Sequence, residues 1–162
     1  MSAKLFSKDE FDELQHQALA SSRQRQHLNI HASHEDRFQR LFIAFGMDSY
    51  VRPHRHLLLA KDETLIAARG LLGVLVFDEG GQILQQFKLG TESHWGPGVG
   101  PVLDMPACAW HTVLALTPDA VLLEGKAGPF DPNGPREFAE WSPAEGTDAS
   151  MALLQQWRTR MS

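Results

Sequence analysis

The chain has 162 residues, 43% hydrophobic and 22% charged, and its 15 basic against 20 acidic side chains give a formal charge of −5. Such a composition fits one globular domain with a single substantial core. It carries no basic stripe interleaved with aromatics, which speaks against nucleic-acid binding. Its most apolar run, 65–77, is short and interrupted by Arg69, Gly70 and Gly73, which speaks against a membrane span.

In chain order, Lys8, Asp9 and Glu10 stand before any apolar run that would build a signal peptide. Ser7 followed by Glu10 has the form of a capping box, and Phe11, Leu14, Ala18 and Leu19 recur at helical spacing, which predicts a helix over 8–21. Residues 22–37 lack apolar periodicity and read as an extended polar arm. From Phe38 onward, short apolar runs alternate with Gly, Pro, Asp and Asn, the rhythm of an all-β sandwich or barrel. The segment "DEGGQ", 78–82, predicts a hairpin turn, because paired glycines accept positive φ. The proline-rich stretch "KAGPFDPNGPREF" predicts a loop and excludes a central strand. A closing helix is expected over 148–161, with Met151, Leu154 and Trp157 on one stripe. The reading is one domain in three parts: a helix and arm (1–37), a β-barrel (38–146) and a C-terminal helix (147–162). One cysteine, Cys108, leaves no intrachain disulfide and fits a reducing compartment, so a soluble cytoplasmic protein is expected.

Chemistry concentrates in "YVRPHRH", 50–56. Residues two apart on a strand share a face, so His54 and His56 can converge on one ion. The same parity aligns Tyr50 and Arg52 with them and turns Arg55 away, if the strand runs through Pro53. A loop "LLLAKD", 57–62, then lets Glu63 begin the neighbouring strand, and His111 follows much later in "MPACAWH". Three imidazoles and a carboxylate suit Fe, Mn, Ni, Co or Zn better than Ca or Mg, and leave positions open for a substrate or water. The bland alternative for the histidine pair is a polar strand end. Asp62 competes with Glu63, and a bare three-histidine site also remains open.

Other residues carry paired readings. Arg52 either steers an anionic substrate or makes a surface salt bridge. Tyr50 is a proton donor lining the pocket or a core aromatic. Glu124 and Lys126 share a strand face, as a cross-strand ion pair on the outside or as pocket residues. "HLNIHASHED", 27–36, offers a rival cluster in His27, His31, His34, Glu35 and Asp36, read instead as a solvated or rim segment. His16 and His94 read as solvent-facing, Cys108 as a small buried residue, and Trp110 as packing beneath the sheet.

His-x-His, Glu63, six residues and Gly70, with a later Pro106-x-x-x-x-His111, resembles the two metal motifs of the cupin superfamily. Two extra residues separate His56 from Glu63, and Cys108 stands where the second motif usually has glycine. The wider pattern resembles the WbuC-type cupin-fold metalloproteins of bacterial polysaccharide gene neighbourhoods. It is carried by "NIH" (29–31), "QRL" (39–41), "SYVRPHRH", "KDE", "VFDEGG", "WHT" and "EGKAGPFDP…EFAEWSPAE", spanning roughly Asn29 to Glu145. That branch shares the longer His-to-Glu gap, and has tyrosine where Phe130 stands here. The resemblance implies an all-β double-stranded β-helix, the cupin jelly-roll barrel, between flanking helices. It also implies a metal at His54, His56, Glu63 and His111, brings Glu124 and Lys126 toward the pocket, and sets Asn29 and His31 over its mouth.

The functional expectation is a metal-binding protein for a small anionic, oxygen-rich ligand of sugar or sugar-acid type. Tyr50 and Lys126 are the candidate catalytic residues, and Arg52, His31, Asn29 and Glu124 the candidate substrate contacts. The activity would be isomerisation, epimerisation or dioxygenation. The alternatives are a non-catalytic binding or sensing module and a structural metal. A homodimer through sheet edges is expected, since small sandwiches commonly cover edge strands that way.

Overall fold

The computed structural model describes residues 3–57, 62–130 and 136–162. Helix α1, Lys8–Ala20, begins on a capping box: Ser7 Oγ accepts from the Glu10 N–H at 3.3 Å and Glu10 Oε2 accepts from the Ser7 N–H at 2.9 Å. Eleven strands follow among the described residues: β1 Arg25–Asn29, β2 Phe38–Phe45, β3 His54–His56, β4 Glu63–Arg69, β5 Leu71–Phe77, β6 Ile83–Gly90, β7 Val99–Gly100, β8 Val102–Met105, β9 Trp110–Ala115, β10 Val121–Ala127 and β11 Arg136–Phe138. Helix α2, Asp148–Arg160, closes the chain behind a Thr147 cap.

The strands form two sheets, ordered β1-β2-β10-β4-β8 and β11-β3-β9-β5-β6-β7. Alternation along each strand sends one set of side chains between the sheets and the other set outward. The inner set includes Ile43, Phe45, Leu65, Val74, Met105, Val113 and Leu122, which make one core cluster. The outward sets are covered by the helices. Leu14 and Ala18 of α1 bury Phe42, Ala44 and Val121 of the first sheet. Leu154 and Trp157 of α2 bury Leu75, Phe77, Trp110 and Leu114 of the second. Every residue of β9 is therefore buried, on both faces.

The hairpin at 78–82 forms as predicted. Asp78 Oδ1 accepts from the Gly80 and Gln82 N–H groups at 2.9 and 2.8 Å, and Gly81 takes φ +86°. The Trp141 ring lies 2.7 Å from where a Cβ at Gly81 would stand, so the turn needs glycine for space as well as conformation.

Two stretches read as irregular contribute strands. β1 lies inside the polar arm and pairs antiparallel with β2, Asn29 opposite Leu41. β11 lies in the proline-rich stretch and pairs with β3 at the sheet edge, where no second neighbour is required. The tips of two predicted loops, 58–61 and 131–135, fall outside the described residues.

Candidate metal centre and its cavity

A cavity of about 510 Å³ lies between the inner faces of the two sheets. Its second-sheet wall is set by register: His54 pairs with His111 of β9 on one side and Phe138 of β11 on the other, and His56 pairs with Arg136. Inward parity gives His54, His56, His111, Arg136 and Phe138 to the cavity. It sends Arg55 outward, where its guanidinium reaches Glu79 at 2.7 Å and Glu137 at 2.8 Å and lies 4.3 Å from the Trp110 ring centre. Trp110 packs beneath the sheet as expected.

Glu63 arrives from the other side. The sequence places it on a strand beside the histidines, but β4 belongs to the opposite sheet, and Glu63 meets them across the barrel interior. Its Oε1 lies 3.1 Å from His56 Nε2 and its Oε2 lies 3.2 Å from His111 Nε2. The ring centres of His54 and His111 are 4.6 Å apart, and those of His54 and His56 are 5.4 Å apart. Widely separated segments thus bring together all four residues read as ligands. Asp62 does not compete, because its Oδ1 accepts from the Ala107 N–H at 2.8 Å.

Two of the rings are oriented by their own strands. His54 Nδ1 lies 3.0 Å from the Arg52 carbonyl, and His111 Nδ1 lies 2.9 Å from the Ala109 carbonyl. A carbonyl only accepts, so each Nδ1 carries its proton and Nε2 is left as the donor atom. Burial and the neighbouring His111 hold His54 well below the usual histidine value, so this ring is neutral. Burial opposes the charge on His111, but Glu63 outweighs it and raises the pKa. Burial likewise opposes the Glu63 charge, and His111, His56 and Lys126 together outweigh it, keeping the carboxylate ionised.

Among the described residues no three or more His, Cys, Asp or Glu side chains form a ready-made cation cage. Glu63 stands directly against the His56 and His111 imidazoles instead. The donor set nevertheless fits a transition ion. It has three imidazoles and an ionised carboxylate, and His56 Nε2 is buried with no hydrogen-bond partner among the described residues despite its closeness to Glu63.

Lys126 and Glu124 face the cavity, so their side chains do not form an external ion pair. Lys126 Nζ donates to Glu63 Oε1 at 2.9 Å and to Glu124 Oε1 at 2.7 Å. Burial disfavours its charge, but Glu124 and Glu63 outweigh this and push its pKa above the ordinary lysine value. An ammonium held so firmly is a fixed cation and a poor proton shuttle.

The structure does not bring Tyr50 to this group. Strand β3 starts only at His54, after Pro53, so the parity argument stops there. The Tyr50 ring stacks on Trp157 of α2 at 5.7 Å, and its hydroxyl donates to the Pro143 carbonyl at 3.2 Å. Burial raises its pKa to about 12. Its place is the core reading, and the catalytic reading is dropped. Arg52 lines the cavity, but its guanidinium is tied to Ser142 Oγ at 3.1 Å and the Ala139 carbonyl at 2.9 Å.

Asn29 and His31 also line the cavity, and His31 is buried, with Nδ1 against the Arg40 backbone and Nε2 without a partner among the described residues. His27 and His34 of the rival cluster line the cavity too. Enclosure by the wall, then the charges of Arg25, Arg23, Lys126 and Arg136, push His27 down to about 4. Cys108 takes φ +64°, a glycine-like conformation, and its N–H bonds the His56 carbonyl at 3.1 Å.

Sequence reading missed Arg25, Glu145 and Gln39 as cavity residues. Arg25 Nη1 reaches Ser49 Oγ at 3.0 Å and the Tyr50 carbonyl at 3.2 Å, and Nη2 reaches Glu145 Oε1 at 3.0 Å. Gln39 sits opposite Lys126, which in turn sits opposite Glu63, in one row across the first sheet.

Two sheets with inward histidines on one and a glutamate on the other define a cupin-fold protein, and the comparisons agree. The chain resembles CapF, with 17% identity and a TM-score of 0.58, over 74% of this chain and 33% of that one. It resembles protein SO0799 from Shewanella oneidensis, with 14% identity and a TM-score of 0.56, over 83% of this chain and 82% of that one. It also resembles oxalate decarboxylase from Bacillus subtilis, with 16% identity and a TM-score of 0.51, over 70% and 27%. These likenesses establish the all-β cupin barrel with its flanking helices. By sequence, the chain belongs to the family described as a domain of unknown function (DUF6016), which it matches over residues 6–89. No curated protein matches it. No helix among the described residues is long and apolar enough to cross a membrane.

Proposed function

We propose that this protein is a metal-dependent cupin whose cavity receives a small anionic, oxygen-rich metabolite of sugar or sugar-acid type. The ion, one of Fe, Mn, Ni, Co or Zn, would be held by His54, His56, Glu63 and His111. One observation carries the reading: three imidazoles and an ionised carboxylate meet inside the barrel, with Nε2 of His54 and His111 left as donors by Nδ1 contacts to backbone carbonyls. When bound, such an ion supplies Lewis acidity at an oxygen of the ligand. Lys126 helps keep Glu63 ionised and ties it to Glu124. Asn29, His31 and Arg52 supply polar wall to the ligand, and the His27 ring, pushed down to about 4, stays neutral near pH 7. Isomerisation, epimerisation or dioxygenation fits this arrangement. The sequence resemblance to WbuC-type proteins supports a role in bacterial polysaccharide biosynthesis, such as that of O-antigen or lipopolysaccharide. The single cysteine supports a cytoplasmic setting, and the exposed sheet edges a homodimer.

A second reading, a non-catalytic module that captures the same ligand through its metal, is favoured by one observation. Neither candidate proton-transfer group is available, since Tyr50 lies against α2 and Lys126 is pinned between carboxylates. Elemental analysis of untagged protein tests the shared premise: one equivalent of a first-row transition metal is expected, lost in His56→Ala with the fold retained. Absence of metal binding in the wild type would refute both readings. Incubation of metal-loaded protein with sugar acids then separates them, since metal-dependent product marks an enzyme and stabilisation without product marks a binder.

A further inference from the structure

The cavity has an outer end that the metal reading leaves unused. Arg23, Arg25 and Arg136 all line it. Glu145 accepts from Arg23 Nε at 2.8 Å, from Arg23 Nη2 at 3.1 Å and from Arg25 Nη2 at 3.0 Å, so one carboxylate is shared by two guanidiniums. Arg136 has no carboxylate partner among the described residues, and its guanidinium lies over the Phe138 ring, 4.8 Å from the ring centre. The adjacent acid, Glu137, points to the outer face and is taken by Arg55. Arg136 is close enough to Arg25 and His27 for its charge to depress the pKa of both. Among the described residues three guanidiniums gather around one carboxylate here, at a place where register sets Arg136 opposite His56.

We infer that Arg136, backed by Arg25 and Arg23, forms a second anion subsite on the strand flanking the histidine cluster, where it takes a phosphate or carboxylate group of the cavity ligand. Guanidinium suits this task because its planar fork bonds two oxygens of one anion. The Ser49 and Tyr50 contacts fix Arg25, so it loses little freedom on binding, while the exposed Arg136 rests over the Phe138 ring. The inference deepens the proposed function and rests on it only for the ligand's other end. The expected ligand is therefore a bifunctional anion: a phosphorylated sugar, or a sugar acid with a second acidic group.

Calorimetric titration with inorganic phosphate and with malonate tests this on the full-length protein, as purified and after chelation. Phosphate binding should weaken roughly tenfold or more in Arg136→Ala and by less in Arg136→Lys, with unchanged melting temperatures, and should survive chelation. Tighter phosphate than malonate assigns a phosphate monoester, and the reverse assigns a carboxylate. Equal phosphate affinity in Arg136→Ala and wild type would overturn the subsite. Loss of phosphate binding on chelation alone would also overturn it, while leaving the metal reading standing. Phosphate binding that follows Arg136 in protein unable to take up metal would keep the subsite and remove the metal reading.

Discussion

At the deep end of the cavity one ammonium, Lys126, is shared by Glu63 and Glu124, whereas at the outer end one carboxylate, Glu145, is shared by Arg23 and Arg25. The two clusters are near mirror images in charge. The deep one has a carboxylate in excess beside imidazoles, which suits a cation, and the outer one has guanidinium in excess, which suits an anion. Burial sets Arg23 apart from the rest: its side chain is 57% exposed, against 3% for Glu63 and 5% for Arg25. Charges deep in the barrel cannot rely on water, so breaking one pair there should cost far more than breaking one at the rim.

The largest expected effect is Lys126→Ala, which leaves two buried carboxylates sharing no cation and should lower stability by about 3–5 kcal/mol in urea unfolding. A divalent transition ion should recover part of that loss, since it replaces the missing positive charge. Next, adding such an ion to the wild type at about a hundredfold excess over its Kd should stabilise by about 2.7 kcal/mol. No rise is expected in His56→Ala, and an equal rise there would detach the metal from this cluster.

A smaller effect concerns pH. Burial opposes the Glu145 charge, but Arg23 and Arg25 outweigh it, so its folded pKa lies below the ordinary 4.5. Its contribution is complete above the unfolded pKa and disappears as pH falls through the folded one. Wild type and Glu145→Gln should therefore differ by roughly 1 kcal/mol or less at neutral pH, and converge in acid, as followed by urea midpoints. Smallest is Arg23→Ala, a mostly exposed partner, at about 0.2–1 kcal/mol. A loss there as large as that of Lys126→Ala would erase the distinction between the two ends.

The deep end was legible in the sequence because its signals are local. His-x-His fixes two donors on one face, and Glu63 and His111 follow at strand starts. What spacing does not convey is the sheet to which each strand belongs, so Glu63 was expected beside the histidines rather than across from them. Tyr50 was misplaced for a related reason, since parity holds only within a strand and Pro53 ends it. The outer end left no trace of this kind. Arg25 and Glu145 are separated by 120 positions, and each alone reads as a surface charge. β1 was equally hard to see: "RQHLN" has one apolar residue, and its stability comes from pairing with β2 and from α1 above it. The helices were easy because Ser7 and Glu10 announce α1, and an apolar stripe announces α2.

The contacts from His54 Nδ1 to the Arg52 carbonyl and from His111 Nδ1 to the Ala109 carbonyl each span two residues of the same chain segment. The aim of both rings is thus inherited from main chain, whatever side chains stand around them. Wall positions such as Asn29, Leu41 and Phe138 can then be exchanged to admit differently shaped molecules while the donors keep their bearing. A barrel built in this way lets selectivity drift independently of its chemical centre, and offers a scaffold whose interior can be re-lined without re-engineering the nitrogen donors.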